Sequence, residues 1–190
     1  MHSQFFRAVS PSVESFLEEF KKHKTDVRML RALLKSNEAL CQNADVKPKL
    51  MEELSTAFLR SNVPLFCLLL DFLDICTWRY PYYTPTLDRA TDRHYGSILH
   101  YIISICAHRK MVRDYHKVNY HYDNDINEQA ESIKRDELML VRVLMVPGLD
   151  LNEWNDHYTP LEFAETFELN ELARILRHWG AVHPSELIMS

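Results

Sequence analysis

Apolar side chains recur every three to four positions through most of the chain, the spacing of helices that bury one face. Phe16, Leu17 and Phe20 follow Pro11 and Ser12, either of which can open a helix, with Glu14, Glu18 and Glu19 in the early turns. Acids there suit the helix dipole. A second helix carries Val27, Leu30, Leu33 and Leu34, and a third, over 47–62, carries Leu50, Leu54, Ala57 and Phe58. The stretch 63–73 is nearly solid with apolar side chains, as a helix buried on most sides requires.

Glycine stands only at 96, 148 and 180. Such scarcity argues against glycine-rich phosphate loops and against an all-β fold with many tight turns. The chain has 190 residues, 46% of them apolar and 26% charged, a composition for one globular domain with a real core. Net charge is −5, from 22 basic against 27 acidic residues, the wrong sign for a non-specific nucleic-acid binder. Two basic clusters (Lys21, Lys22, Lys24, Arg28 and Arg31, then Arg109, Lys110, Arg113 and Lys117) are interleaved with apolar and acidic residues and read as solvated helix faces. The longest apolar run, 63–70, is far short of the roughly 20 residues of a membrane span, and the N-terminus lacks a secretory layout. Cys41, Cys67, Cys76 and Cys106 form no C-x-x-C pair and read as reduced core thiols, which places the expected protein inside a cell, in cytoplasm or nucleus.

The sharpest local pattern is Gly148, Leu149, Asp150, Leu151 and Asn152, with Thr159, Pro160 and Leu161 beginning seven residues after the Asn. Phe163, Ala164 and Leu172 continue it to Gly180 and Ala181, and 32 positions separate the two glycines. This stretch resembles the junction of two ankyrin repeats, which reads G-A-D-V-N and then T-P-L-H, with a period of about 33. A second copy is legible once the helices are aligned: Leu54, Ala57 and Leu65 repeat the spacing of Leu161, Ala164 and Leu172, so 49–73 reads as a degenerate helix pair. A third begins at Ser97, Ile98, Leu99 and His100, in the place of T-P-L-H, with its second helix over 138–146. The resemblance implies that Ser97 and His100 hydrogen-bond one another and lock the entry to a helix. It also implies that Glu162, in the place of the family's His, loses that interlock in the last repeat. Thr159 is a natural N-cap and Pro160 suits a first helical turn.

The departures are equally specific. Ser97 and Thr159 lie 62 positions apart, an excess of about 30 over one repeat that falls over 108–135. A smaller excess, about 12, falls over 74–95. Segments of this length between helices are expected to be functional or mobile loops. Tyr95 and His157 stand where the family has its hairpin glycine, so altered hairpin geometry is expected there.

Candidate chemistry is thin. Ten histidines invite a metal or acid–base site, above all His108, His116 and His121 near Asp114, Asp123 and Asp125, but no H-E-x-x-H occurs. Asp123, Asp125 and Asn127 mimic the start of a calcium loop, which Glu128 and Lys134 then defeat at the glycine and bidentate-acid positions. No metal site, catalytic residue or cofactor is expected. The tyrosines stand out instead. Apart from Tyr101 they fall in the insertions and adjoining hairpins: Trp78, Arg79, Tyr80, Tyr82 and Tyr83 in the first, Tyr115, Tyr120 and Tyr122 in the second. Aromatic and Arg side chains are enriched at interface hot spots. These residues, with His157 at a hairpin tip, are candidates for partner binding, against the alternative that the rings pack back on the helices to hold a long loop down.

The expected fold is therefore all-α: an ankyrin-type helical solenoid of about four helix pairs with two long insertions. Residues 1–48 form an N-terminal helical pair, 49–182 the degenerate repeats with insertions at about 74–95 and 108–135, and 183–190 a C-terminal tail. The resemblance implies a module that recruits or sequesters a protein partner, of the kind used as stand-alone effectors by intracellular pathogens or as inhibitors of transcription factors. An effector would work in the host cytosol. The rival is an enzyme or small-ligand-binding helical domain with an insertion as its lid.

Overall fold

In the computed structural model, which describes residues 12–83, 93–120 and 126–187, most of the chain is helical. Helix α1 (Val13–Lys22) starts at Ser12, whose hydroxyl accepts from the Ser15 amide, and buries Phe16 and Phe20. Helix α2 (Val27–Ser36) is capped by the Asp26 carboxylate and buries Leu30 and Leu34. A single turn, α3 (Glu38–Cys41), leads into α4 (Lys47–Leu59) and α5 (Val63–Leu70). Strands β1 (Tyr80–Tyr83) and β2 (Arg93–Gly96) then form an antiparallel hairpin. Helices α6 (Ile98–Tyr120), α7 (Ile126–Leu144), α8 (Pro160–Thr166), α9 (Asn170–His178) and the short α10 (Pro184–Leu187) complete the order.

Consecutive helix pairs lie side by side. Helix α5 touches α2 on one side and α7 on the other, and α6 packs on α8. The Asp71 carboxylate, just past α5, accepts from Arg31 of α2 at 3.0 Å and from Arg142 of α7 at 2.9 Å, so one acid spans three layers.

The repeat register read from the sequence places corresponding residues in corresponding environments. Leu54, Ala57, Leu65, Leu99, Leu161, Ala164 and Leu172 are all buried. The α4–α5 and α8–α9 turns are also built alike. Ser61 and Glu168, each seven positions after the aligned leucine, both adopt a left-handed conformation, φ 53° and 54°. The next amide bonds five residues back in each, Asn62 to the Ala57 carbonyl and Leu169 to the Ala164 carbonyl, both at 2.8 Å. That pairing satisfies carbonyls a helix end leaves open. Gly180, φ 99°, closes α9 by the same device, with the Ala181 amide on the Leu176 carbonyl at 3.0 Å.

Helix α6 does not turn at the equivalent position. Cys106 stands there, buried, and the helix runs on to Tyr120. The expected loop over 108–135 is therefore largely helix, the outer parts of α6 and α7. The physical reason is that no glycine or proline lies between Ile98 and Val146, and the Arg, Lys, Glu, Gln and Ala of this stretch are strong helix formers. Tyr115 and Tyr120 thus sit on α6, and Tyr122 lies outside the described residues.

Two adjacent cations on α6 fasten it to both neighbours. Arg109 donates to the carbonyls of Phe58 (3.2 Å) and Leu59 (2.8 Å) at the end of α4, with its guanidinium 5.5 Å from the Phe58 ring centroid. Its other face pairs with Asp136 of α7, a carboxylate with little solvent access. Lys110 meets the Phe167 carbonyl (3.4 Å) and Glu168 (3.0 Å) at the end of α8. Cations at helix C-termini complement the dipole.

Two further expectations are corrected, and a third can be placed. The 74–95 insertion holds most of the β-hairpin, so the described residues are helical with one two-stranded ribbon. Hairpin geometry is altered where Tyr95 and His157 replace the glycine, as expected: the left-handed residue of the 149–158 loop is Asp156, φ 73°, one before His157, and Tyr95 is extended within β2. Glu162 does not leave the last helix entry unlocked: its carboxylate accepts from the Thr159 amide (2.9 Å) while the Thr159 hydroxyl accepts from the Glu162 amide (3.3 Å), a capping box ahead of Pro160. In the C-terminal tail, α10 follows His183, whose ring lies 3.9 Å from the carboxylates of Glu162 and Glu165.

Candidate partner-binding surface

The hairpin obeys the two-residue period of a strand. Tyr80 and Tyr82 point inward and are buried, whereas Tyr83 is 53% exposed. The Tyr80 hydroxyl reaches the Met51 sulfur of α4 at 3.3 Å, and its ring lies 5.8 Å from Tyr101, whose own hydroxyl bonds the Ser55 carbonyl at 3.1 Å. Burial pushes the Tyr80 phenol far above its ordinary range. Tyr82 is enclosed by the rings of His94 (5.5 Å), His100 (5.9 Å) and Phe163 (5.5 Å), and burial raises its phenol to about 12. Its hydroxyl accepts from the buried Asn155 side chain. These two tyrosines are packing residues, which corrects their assignment as partner-binding anchors. Trp78 is half-buried against the same core.

Below the hairpin lies the 149–158 loop. It opens at Gly148, φ 80°, and the Asn155 side-chain oxygen accepts from the amides of His157 (3.2 Å) and Tyr158 (3.0 Å). Arg79, just before β1, forms an ion pair with Glu153. The ring of His94 on β2 meets that of His157 edge-on at 4.6 Å. His100 completes the joint: Nδ1 lies 2.9 Å from the Ser97 hydroxyl and Nε2 lies 3.0 Å from the Tyr158 carbonyl. A carbonyl only accepts, so Nε2 carries the proton and Nδ1 accepts from Ser97. Burial lowers His100 to about 4; the Tyr158 bond opposes that shift and Arg79 adds to it. Gly96 admits this ring, since a Cβ there would meet the imidazole at 2.9–3.0 Å.

What the joint leaves outside is an aromatic face. Pro81 pairs with Tyr95 and Tyr83 with Arg93, so Tyr83 and Tyr95 share the outer side of the ribbon on a diagonal. Both are about half exposed, as is Trp154, the residue after the Arg79-bound Glu153. Arg79 and His157 are exposed beside them. Trp154 escaped sequence reasoning although it is an apolar ring in a run of Asn, Glu and Asp, which was the signal available. Tyr115, also exposed, lies on the outer part of α6 in a stripe with Val112 and Val118.

A separate cleft of about 270 Å³ lies between α6, α7 and the α8–α9 turn, lined by Cys106, Lys110, Arg113, Asp136 and Glu171 among others. Its charges are largely internally paired, Lys110 with Glu168 and Asp136 with Arg109. Burial first, then Asp136, pushes the Cys106 thiol well up, the reverse of what a nucleophilic thiolate needs. No group of three or more His, Cys, Asp or Glu among the described residues is placed to hold a metal ion. No helix among them is long and apolar enough to cross a membrane. Neither family models, nor curated proteins, nor solved structures give a match to this chain.

Proposed function

We propose that the chain is a protein-binding module, an ankyrin-type stack that recruits or sequesters a protein partner through the hairpin and the 149–158 loop. The observation that carries this reading is the exposed aromatic set. Tyr83, Tyr95 and Trp154 are each about half exposed, on a ribbon and loop anchored by the buried Tyr80, Tyr82 and Asn155. Rigidly mounted exposed aromatics bury large area at small entropic cost on binding. Support for the ankyrin-type stack comes from the matched α4–α5 and α8–α9 turns and from the Ser97–His100 pair bonded to the following loop. Arg79, Tyr83 and His157 keep their place as contact candidates, and Tyr95 and Trp154 join them.

The test is affinity capture from native cells followed by titration with the purified captured protein. Changing Tyr83, Tyr95 and Trp154 together to Ala is expected to weaken that binding at least tenfold, with the melting temperature nearly unchanged. Binding equal to that of the unaltered chain sinks the proposal. The rival enzyme reading draws on the polar cleft between α6, α7 and the α8–α9 turn. A dose-dependent thermal shift with a metal ion or a nucleotide, abolished by Lys110→Ala with Arg113→Ala, would favour it.

A further inference from the structure

Three histidines meet where the hairpin, the start of α6 and the 149–158 loop come together. His94 on β2 stands edge-on to His157 of the loop at 4.6 Å, and His100 on α6 reaches the loop's Tyr158 carbonyl at 3.0 Å. We propose that His100 is a pH-responsive clamp, which holds the loop against α6 and the hairpin while its imidazole is neutral and releases it on acidification.

The groups facing these rings leave an added proton poorly accommodated. His100 is surrounded by the Ser97 hydroxyl on Nδ1, the Tyr158 carbonyl on Nε2, Tyr82 of β1 and Phe163 of α8. The charged group that bears on it is Arg79, also a cation. A proton entering at Nδ1 places a buried charge against a hydroxyl that must reverse its direction. His94 faces Tyr82 and His157, and His157 faces His94 and Tyr158. Of the loop acids, Glu153 is engaged by Arg79, Asp150 is exposed, and Asp156 is exposed but bears on Tyr82 of the joint.

The direction follows from linkage. His100 in the closed joint titrates near 4, below its ordinary 6.5, so the open form binds the proton better. Closure is fully favoured above about pH 6.5 and is lost progressively as the pH falls towards 4. At pH 5 these two values raise the opening equilibrium by about 30-fold relative to pH 7.5. The device rests on the geometry of the joint and stands whether or not the exposed aromatics bind a partner.

Hydrogen exchange of the full chain tests it, at pH 7.5 and pH 5, with rates corrected for intrinsic exchange. The peptide covering 152–158 is expected to lose protection by about 30-fold, while α4 and α5 peptides keep theirs. His100→Gln retains an N–H towards Tyr158 and has no proton to gain, so its loss should shrink to less than about threefold. Undiminished protection in the unaltered chain overturns the clamp. So does an equal loss in α4 and α5, or the same 30-fold loss in His100→Gln. Should His100→Gln not fold, the pH at which 152–158 loses protection is compared with the NMR titration of the His100 ring in the unaltered chain. The two should run in parallel, and a loss of protection that does not track the His100 titration overturns the clamp.

Discussion

Changing Tyr80 to Ala should be among the most damaging single substitutions in the molecule, and changing Tyr83, three residues on in the same strand, among the mildest. Tyr80 is 1% exposed and lies between Met51 of α4 and Tyr101 of α6. A buried aromatic removes about 150–250 Å² from water, worth about 4–6 kcal/mol at about 25 cal/mol/Å². Discounting for a denatured chain that already hides part of that surface leaves about 3–5 kcal/mol, the usual range for aromatic-to-Ala changes in cores. Tyr83 should cost within about 0.5 kcal/mol, as exposed positions do. Tyr80→Phe keeps the ring and removes only the bond to sulfur, a loss of about 0.5–1 kcal/mol. For a chain of this size each kcal/mol moves the melting temperature by about 2–4 °C, so Tyr80→Ala should lower it by about 6–20 °C. Urea unfolding and a thermal scan followed by circular dichroism provide the assay. Equal midpoints for Tyr80→Ala and Tyr83→Ala would refute the inward and outward alternation assigned to β1, and with it the packing role of the hairpin.

Other consequences can be checked on the same instruments. Asp136→Asn leaves the Arg109 guanidinium without its anion and should cost about 3–5 kcal/mol, whereas Arg109→Met with Asp136→Leu should cost much less, because no orphaned charge remains; equal losses would mean that the pair carries net stability of its own. Gly96→Ala forces a methyl onto the His100 ring at 2.9 Å and should destabilise by about 1–3 kcal/mol, with a downfield shift or broadening of the His100 ring signals as a second readout. Thr159→Ala removes the side-chain half of the capping box and should cost about 1 kcal/mol by urea unfolding.

Much of the helical framework could be read from residue spacing, because a helix with one buried face prints that face into the sequence. Leu54 and Ala57 carry the same interval as Leu161 and Ala164, and the chain makes the same left-handed turn after each. The outer parts of α6 and α7 print nothing comparable. With exposed Val112, Val118 and Ile133 they have a weaker core-facing stripe, so the added length was visible but read as loop. The better signal was the missing glycine and proline. Strand β1 is four residues long and includes Pro81, too short to stand out, and its partner begins ten positions after it ends. The burial of alternate tyrosines depends on contacts with Met51, 29 positions before Tyr80, and Asn155, 73 positions after Tyr82. No local pattern encodes distances of that order. Asn155 itself was unremarkable in sequence because its importance lies in what it touches.

The short ribbon changes how the molecule should come apart. In a stack whose layers touch only their neighbours, stability is a sum of local terms and the ends can peel away first. Here Tyr80 holds α4 while Tyr82, two residues later, holds the loop leading into α8, on the far side of α6. Layers that do not adjoin in sequence order are thereby coupled through one rigid strand. Beyond a local opening of the loop at 152–158, losing either helical layer strains the other, so α4 and α8 are expected to unfold together rather than fray in turn.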